Sequence, residues 1–384
     1  MKCLICNLSE AWVFFRWEKA IVYQQVLVPS KEQAYQCSRG NIELAFCPHC
    51  GFIWNTLFEP SLLQYTSSYE ASQMFSSTFR KYVEDVAKSL IRRYNLRRKE
   101  IIEIGCGDGA FLKLLCELGD NRGAGFDPAS RTATEMAGKV IFIPDYYSKR
   151  YVHYQGDFIC CRHVLEHIQN PVEFLLDLKR LTESRRPIFF FEVPNVIWSL
   201  RQLAFWDIYY EHCSYFSTAS CIFLFTICGL AVLKIGEGFG GQYVWIEASP
   251  PERKRYSFEE PFSEQVQELV NVVEAFTTRF PKKINSLKED LDEMTCHSRV
   301  VIWGAGAKAV ALLNILDIRQ IEFVVDINPK KQGNYVPGTG QRIISPDFLQ
   351  KYKPDRILVM NPAYFEEVRL MVESLKIKAD VQIL

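Results

Sequence analysis

The segment 101–109 constrains the fold of this chain more than any other part of its sequence. An apolar strand carrying one acid, Glu103, leads into a turn with glycines at three alternate positions, Gly105, Gly107 and Gly109. Such glycines let the backbone bend tightly and approach a ligand that a side chain would exclude, and the apolar helical run that follows presents free N–H groups to the same ligand. About twenty residues later Asp127 ends a second short strand, where a carboxylate can accept hydrogen bonds from ribose hydroxyls. The pattern predicts a site for a ribose-containing cofactor.

The composition indicates a globular protein with more than one domain. The chain has 384 residues, too many for one ordinary core, and 48% of them are hydrophobic. Lysine plus arginine and aspartate plus glutamate number 45 each, so no overall field would attract nucleic acid or an anionic membrane. No stretch has the length of a membrane span, and the first residues lack the apolar core of a secretory signal. We expect a cytoplasmic protein with no membrane, nucleic-acid or obligate protein partner.

Two cysteine pairs near the start predict a zinc site. Each pair has the Cys-x-x-Cys spacing that bends around one ion, and together they supply four thiolates: Cys3, Cys6, Cys47 and Cys50. Four protein ligands leave no open position for a substrate, so the predicted zinc is structural, in a module over residues 1–58. A disulfide or unrelated thiols are the alternative. Cys37 and His49 are spare potential ligands, and β-like runs such as Ala20 to Val28 could form a small sheet.

The middle of the chain alternates helical and strand patterns. Apolar residues recur at helical spacing from Tyr65 to Leu96, and short apolar strands follow the glycine turn at 140–143, 158–161 and 188–193. This alternation predicts a doubly wound α/β domain over residues 59–250, with ligands at the carboxyl ends of the strands. His163 lies at such an end and could flank the cofactor, whereas His167 more readily caps a helix or packs.

The segment 207–217 carries the polar side chains best suited to catalysis. Tyr209, Tyr210, Glu211 and His212 lie within four positions and lack the apolar spacing of core residues. A histidine beside a carboxylate can act as a general base near neutral pH, and a tyrosine hydroxyl can bond an oxyanion. The alternative is an ordinary polar loop over the cofactor pocket.

The glycine segment with Glu103 and Asp127 resembles the S-adenosylmethionine site of class I methyltransferases. The cysteine pairs, this core, the Tyr-x-Glu-His-x-x-Tyr-Phe-Ser segment from Tyr209 and the carboxyl-terminal domain together resemble the three-domain, zinc-containing sugar C-methyltransferases, over nearly the whole chain. The resemblance implies a nucleotide-linked 4-keto deoxysugar as acceptor, His212 as the base beside the ketone, Tyr209 and Glu211 as sugar-positioning residues, and a further active-site tyrosine at Tyr69.

The chain departs from that family at three places. Tyr210 replaces a histidine of the Tyr-His-Glu-His motif, and a Gly-Gly-Ser segment reads Gly240-Gly241-Gln242. Arg162-His163 stands where the family more often has an asparagine-containing pair. These changes keep open a methyltransferase that acts on a non-sugar natural-product intermediate.

A second glycine turn follows a charged helical connector. The strand 300–303 leads into Gly304-Ala305-Gly306-Ala307, and a further short strand ends at Asp326. By itself this fits a dinucleotide fingerprint, so an NAD-dependent oxidoreductase is the rival enzyme class. The resemblance instead makes residues 251–384 a Rossmann-like domain that helps to close the acceptor site. Lys308, beside the turn, could neutralise a diphosphate or be a solvated helix residue.

Overall fold

A computed structural model describes residues 1–63, 68–130, 134–136, 138–251 and 261–384. The strands are β1 (Trp12–Ile21), β2 (Arg39–Phe46), β3 (Ile53–Asn55), β4 (Glu100–Ile104), β5 (Arg122–Phe126), β6 (Thr134–Met136), β7 (Val140–Ile143), β8 (Phe158–Arg162), β9 (Ile188–Pro194), β10 (Ser214–Tyr215), β11 (Ala231–Gly238), β12 (Tyr243–Ser249), β13 (Val300–Trp303), β14 (Phe323–Val325), β15 (Arg342–Ile344), β16 (Arg356–Val359) and β17 (Asp380–Ile383).

The helices are α1 (Lys31–Tyr35), α2 (Ser77–Tyr94), α3 (Ala110–Gly119), α4 (Pro171–Leu181), α5 (Val196–Arg201), α6 (Thr218–Ile227), α7 (Pro261–His297), α8 (Ala307–Ile315), α9 (Leu349–Tyr352) and α10 (Phe365–Ser374). Single 3₁₀ turns lie at Pro60–Leu62, Lys149–Tyr151, Leu165–His167, Phe205–Asp207, Pro346–Phe348 and Pro362–Tyr364. Within these described ranges, no helix is both long enough and apolar enough to cross a membrane.

The central sheet has the strand order β11-β12-β9-β8-β4-β5-β7-β6. Strands β9, β8, β4, β5 and β7 run parallel, and β12 lies antiparallel to β9. The parallel strands are almost wholly buried because helices cover both faces. The chain leaves β4 for β5 on one side and reaches β8 on the other, so a crevice opens at the carboxyl end of β4, directly above the first glycine turn.

A second sheet, of order β15-β14-β13-β16-β17, is parallel throughout. Its glycine turn follows β13, the central strand, which repeats the arrangement at β4. The predicted strands 300–303 and 323–325 are confirmed as β13 and β14. Each of the two sheets therefore places a glycine turn at its own topological switch point.

The amino-terminal sheet has the order β1-β2-β3-β10, so a strand from beyond residue 213 completes it. The predicted sheet exists, but its first strand ends at Ile21 rather than beginning at Ala20. The helical pattern predicted from Tyr65 is also corrected: Tyr65 lies outside the described residues, and α2 begins at Ser77. Ser76 sets this start, since its hydroxyl accepts a hydrogen bond from the Phe79 N–H.

Candidate active site

One cavity of about 1040 Å³ connects the two glycine turns. Its wall includes Gly105 and Gly107 from the first turn, and Gly304 and Gly306 from the second. Side chains from the segment after β9 line it as well, and among them is His212. The cavity is large enough for two ligands side by side, one at each turn.

The three glycines of the first turn all have left-handed backbone angles, with φ of 69° at Gly105, 54° at Gly107 and 75° at Gly109. A Cβ on Gly107 would meet no atom within 4 Å, so this residue faces open space. A Cβ on Gly105 would lie 2.1 Å from Val164, and one on Gly109 would lie 2.1 Å from Phe142. Gly107 therefore leaves room for a ligand, while Gly105 and Gly109 allow the turn to pack on the protein.

Asp127 fixes the first glycine turn from the end of β5. One carboxylate oxygen accepts the Gly107 N–H at 2.8 Å, and the other accepts the Ala129 N–H at 2.8 Å. Each oxygen retains a second lone pair, so both can also accept a hydrogen bond from a ribose hydroxyl in the cavity. Asp127 therefore holds the turn and keeps acceptor capacity on the cavity side.

Replacing Asp127 by alanine should weaken S-adenosylhomocysteine binding about 10- to 100-fold, since hydrogen bonds to charged groups contribute about 1.5–3 kcal/mol. Isothermal titration calorimetry measures the change, and Asp85→Ala on the exposed face of α2 is the matched control. Equal affinity in the two variants would remove Asp127 from the cofactor site.

Glu103 lies under the first turn and is buried, with its side chain 3% exposed. Its carboxylate accepts the Leu112 N–H at 3.0 Å in the first turn of α3. Burial raises the pKa of Glu103 to about 8, although nearby Arg162 and the Leu112 N–H partly oppose that rise. Glu103 therefore ties β4 to α3 behind the cofactor position.

The raised pKa of Glu103 predicts a pH-dependent stability. Below pH 4.5, the ordinary pKa of a glutamate, Glu103 is protonated in both the folded and the unfolded chain. Between pH 4.5 and about 8 it ionises more readily in the unfolded chain, so a rise in pH lowers the stability of the folded state. Glu103→Gln, which cannot ionise, should therefore gain stability over wild type across this window, by on the order of a few kcal/mol. Urea denaturation at pH 5, 6.5 and 8.5 checks this, with Glu117→Gln at an exposed position of α3 as control. A constant difference across pH would contradict it.

His163 follows β8 with a left-handed φ of 54° and lines the cavity. Its Nε2 lies 3.2 Å from Glu192 and its Nδ1 lies 3.7 Å from Glu166. Burial disfavours the protonated ring, but the two carboxylates outweigh it and raise the pKa of His163. Glu192 also binds Arg162 at 2.7 Å and accepts the Tyr82 hydroxyl. This buried cluster holds His163 at the border of the cofactor region.

The segment 209–212 directs its side chains in two directions. Tyr209, Glu211 and His212 line the cavity, whereas Tyr210 is fully buried in the core and its hydroxyl bonds the Glu59 backbone. The expectation that this segment lacks core residues is therefore wrong at Tyr210. Tyr210, which replaces a histidine of the family motif, therefore does not line the cavity.

His212 is buried, with 4% of its surface exposed, and its Nδ1 has no hydrogen-bond partner among the described residues. Burial lowers the pKa of His212 well below its ordinary value, and His167, His163 and Lys308 add to the effect. The ring is therefore neutral at physiological pH and able to accept a proton. The Tyr209 ring lies against it, with centroids 4.1 Å apart.

Glu211 is held by residues from outside its own segment. Its carboxylate accepts the Gln24 backbone N–H at 2.9 Å, so the amino-terminal part of the chain contacts the cavity wall directly. Burial raises the pKa of Glu211 to about 7, while the Gln24 N–H and the hydroxyl of Tyr69 oppose that rise. Tyr69, the further tyrosine that the family resemblance implies, therefore lies beside Glu211.

His167 and Glu166 also face the cavity. The His167 Nδ1 lies 2.9 Å from the Glu211 carbonyl, and its ring centroid is 4.9 Å from that of His212. The expectation that His167 only caps or packs therefore misses its place beside His212. Donor atoms of Glu166, His167 and His212 lie within 4.8 Å of one another, a grouping that could also hold a metal ion.

The second glycine turn repeats the geometry of the first. Asp326, at the end of β14, accepts the Ala305 N–H at 2.8 Å, and Gly304 has a φ of 103° with open space around its Cβ position. Lys308 is not simply solvated: its Nζ lies 2.8 Å from Asp207 and 3.2 Å from the Gln242 amide oxygen. Its charge is thus already partly offset by Asp207 across the cavity wall.

The four predicted zinc ligands lie together. The thiol sulfurs of Cys3 and Cys50 are 3.6 Å apart and those of Cys6 and Cys47 are 3.5 Å apart, with all four within 4.8 Å of one another. Tetrahedral zinc at the usual Zn–S length of 2.3 Å needs sulfurs about 3.8 Å apart, so the cluster fits the ion. Cys37 instead donates to the Gln33 carbonyl, and His49 packs on Phe223.

The sequence patterns did not single out three acids of the site: Glu166 and Asp207, which line the cavity, and Glu192, which is buried against His163. Glu192 could have been found as an acid in the otherwise apolar strand β9, because such a buried charge needs a partner. Nothing in the sequence pairs Asp207 with Lys308, since 101 positions separate them.

Comparison with known proteins agrees with this geometry. Residues 77–235 match the family described as "Methyltransferase domain", and residues 257–378 match that described as "C-methyltransferase C-terminal domain". The central sheet, its glycine turn and these matches define a class I, S-adenosylmethionine-dependent methyltransferase. The second match supports C-methylation in particular, and it covers the domain that carries the second glycine turn.

Two curated proteins are similar to this chain. The C-methyltransferase NovU of Streptomyces niveus is 25% identical over 348 residues, covering 85% of this chain and 81% of the relative. A tRNA U34 carboxymethyltransferase of Campylobacter hominis is 31% identical over 109 residues, covering 25% of this chain and 36% of its own length. Among solved structures, the Burkholderia thailandensis 1,6-didemethyltoxoflavin-N1-methyltransferase with bound S-adenosylhomocysteine is 12% identical with a TM-score of 0.34, over 46% of this chain and 82% of its own.

Proposed function

We propose that this methyltransferase transfers a methyl group to a carbon beside a ketone, on a nucleotide-activated 4-keto deoxysugar. One observation carries the proposal: the neutral, buried His212 lies in the same cavity as both glycine turns. A base placed between a cofactor site and a second ligand site is what methylation of an unactivated carbon requires. The resemblance to sugar C-methyltransferases supplies the acceptor class.

A carbon atom needs this base because it has no lone pair to attack with. In the proposed step His212 removes the proton beside the ketone, and the C–H electron pair becomes an enolate. Burial raises the pKa of Tyr209 well above its ordinary value, so its hydroxyl stays protonated and can donate a hydrogen bond to the enolate oxygen or the sugar. Glu211, fixed by Gln24 and Tyr69, orients the sugar hydroxyls.

S-adenosylmethionine, when bound, supplies an electrophilic methyl group on a sulfonium. The residues that would hold it are the first glycine turn, Asp127 for the ribose and His163 beside its methionine part. Glu103 supports the turn from behind. Alignment of the two reactants in one enclosed cavity then supplies much of the rate, since positioning alone can contribute about 7–11 kcal/mol.

The second glycine turn is proposed to receive the nucleotide end of the acceptor. Gly304 and Gly306 leave open space for a ligand, and Asp326 is placed to bond a ribose as Asp127 is. Lys308 would approach the diphosphate after giving up part of its contact with Asp207. The match of this region to C-methyltransferases favours the acceptor role over an NAD site.

The proposal extends to the amino-terminal module. The cysteine cluster is proposed to bind one structural zinc ion within a three-domain chain of residues 1–58, 59–250 and 251–384. Its donor set leaves no vacant ligand position, so the metal would stabilise the fold rather than take part in the reaction. The contact of Gln24 with Glu211 links that module to the acceptor site.

Calorimetric titration with S-adenosylhomocysteine and NAD, followed by a methylation screen, tests the function. We expect micromolar binding of the adenosyl ligand and none of NAD, and methylated product from a thymidine-diphosphate-linked 4-keto-6-deoxyhexose. Product from a non-sugar ketone but from no nucleotide sugar would replace the acceptor class, an alternative that Gln242 in the cavity wall keeps open. NAD binding without adenosyl binding would overturn the proposal.

A further inference from the structure

Glu166 is a buried carboxylate that the resting fold does not satisfy. It is 2% exposed, and its Oε2 has no hydrogen-bond partner among the described residues. Its other oxygen lies 3.7 Å from the His163 Nδ1, beyond a normal hydrogen bond, and His163 also faces Glu192. A buried carboxylate without a close donor is costly, so this one calls for a functional reason.

Three other carboxylates of the cavity wall each have a donor. Asp127 accepts two backbone N–H groups, Asp207 binds Lys308, and Glu211 accepts the Gln24 N–H. Glu211 shares with Glu166 a buried oxygen without a partner among the described residues, but it is Glu166 whose carboxylate forms a close group with His167 and His212.

Besides His163, Glu166 lies close to two histidines that follow it in the chain, His167 and His212. Donor atoms of Glu166, His167 and His212 lie within 4.8 Å of one another. His167 is oriented by the Glu211 carbonyl, which can only accept, so the His167 Nδ1 carries its hydrogen there. Unlike His167, His212 has an Nδ1 that is buried without a partner among the described residues.

We propose that Glu166 is a positioning residue for His212: it holds the ring in one tautomer and offsets the charge that the ring gains when it takes the acceptor proton. The inference rests on the proposed function. In that step the C–H bond breaks, its electron pair becomes the enolate, and the proton forms an N–H bond on His212. Glu166 exchanges no atom in this step.

The geometry suits this role because such contacts are often long before substrate binds. The donor atoms of Glu166 and His212 lie within 4.8 Å of each other, so a small side-chain movement or one bridging water would connect them. An imidazolium formed in this buried place would otherwise face His167, His163 and Lys308, which all disfavour positive charge at His212. Glu166 supplies a carboxylate within 4.8 Å of His212 that can offset this charge.

The test compares Glu166→Gln and Glu166→Asp with Glu183→Gln, an exposed matched control. With a thymidine-diphosphate-linked 4-keto-6-deoxyglucose probe, Glu166→Gln should lower kcat about 100-fold with KM and S-adenosylhomocysteine affinity nearly unchanged. Deuterium exchange beside the ketone should slow equally, and Glu166→Asp should recover about a tenth or more of the rate. A kcat of Glu166→Gln within threefold of wild type would overturn the proposal.

Histidine ring spectra by ¹H–¹⁵N NMR give a readout that needs no acceptor, and the chain has only 6 histidines to assign. In the S-adenosylhomocysteine complex, His212 should be one tautomer in wild type and a mixture in Glu166→Gln. An unchanged tautomer would overturn the proposal even if no probe is methylated, whereas absence of methylation alone counts against the acceptor. A second bound metal ion per chain, lost in Glu166→Gln, would make Glu166 a metal ligand and overturn it as well.

Discussion

Replacing His212 by alanine should abolish most C-methylation while leaving cofactor binding intact. Loss of a general base costs about 10²- to 10⁴-fold in turnover, and His212 lies on the acceptor side of the cavity rather than on the first glycine turn. Single-turnover methylation of the keto-sugar nucleotide measures the loss of turnover. Calorimetry with S-adenosylhomocysteine measures the cofactor affinity, which should stay within about threefold of wild type.

Tyr210→Phe is the matched control for His212→Ala. Its side chain lies two positions away but points into the core, where the hydroxyl bonds the Glu59 backbone. We expect unchanged turnover and a stability loss of about 1 kcal/mol for that hydrogen bond. Turnover of His212→Ala within threefold of wild type would show that the acceptor proton leaves by another route.

The largest effect on stability is expected from Cys47→Ser. Structural zinc contributes an apparent free energy of about 10–16 kcal/mol in small zinc-binding peptides, and Cys47 is fully buried at the end of β2. The variant should lose its zinc and melt earlier. Turnover should fall at least tenfold as well, because the released module would no longer hold Gln24 against Glu211.

Metal content by mass spectrometry, a thermal melt and the methylation assay check this result. Cys37→Ser is the control, since Cys37 lies outside the cluster and donates to the Gln33 carbonyl. We expect one zinc ion per chain in wild type and in Cys37→Ser. A wild-type protein without zinc, or a Cys47→Ser variant that melts at the wild-type temperature, would remove the structural-zinc proposal.

Local patterns were enough to predict the first glycine turn and the acid that meets it. Gly105, Gly107 and Asp127 meet because a strand, a tight turn and the next parallel strand bring residues about twenty positions apart to one sheet edge. The cysteine cluster could be predicted for a similar reason. Each Cys-x-x-Cys pair forms one short turn, and a single loop between the two turns brings all four thiols together. Predictions of this kind depend on covalent geometry and on pairing between adjacent strands.

The part of the cavity around residues 209–212 depends on contacts that sequence spacing does not encode. Segment 209–212 looked uniformly polar, yet burial against the amino-terminal sheet turned Tyr210 into the core and left its neighbours in the cavity. Likewise, His167 lies beside His212, whose segment leads into β10, and β10 pairs with β3 of the amino-terminal sheet.

The sequence by itself determined the two glycine turns, their acids and the four thiols, because each is a short-range arrangement with a geometric requirement. Only the tertiary structure decided that one cavity joins both turns, that Lys308 meets Asp207, and that Glu166 lies unsatisfied beside His212. These contacts arise from the packing of three sheets against one another. Their partners lie far apart in the chain, and the free energy that selects them is burial of the surrounding apolar surface rather than any local preference.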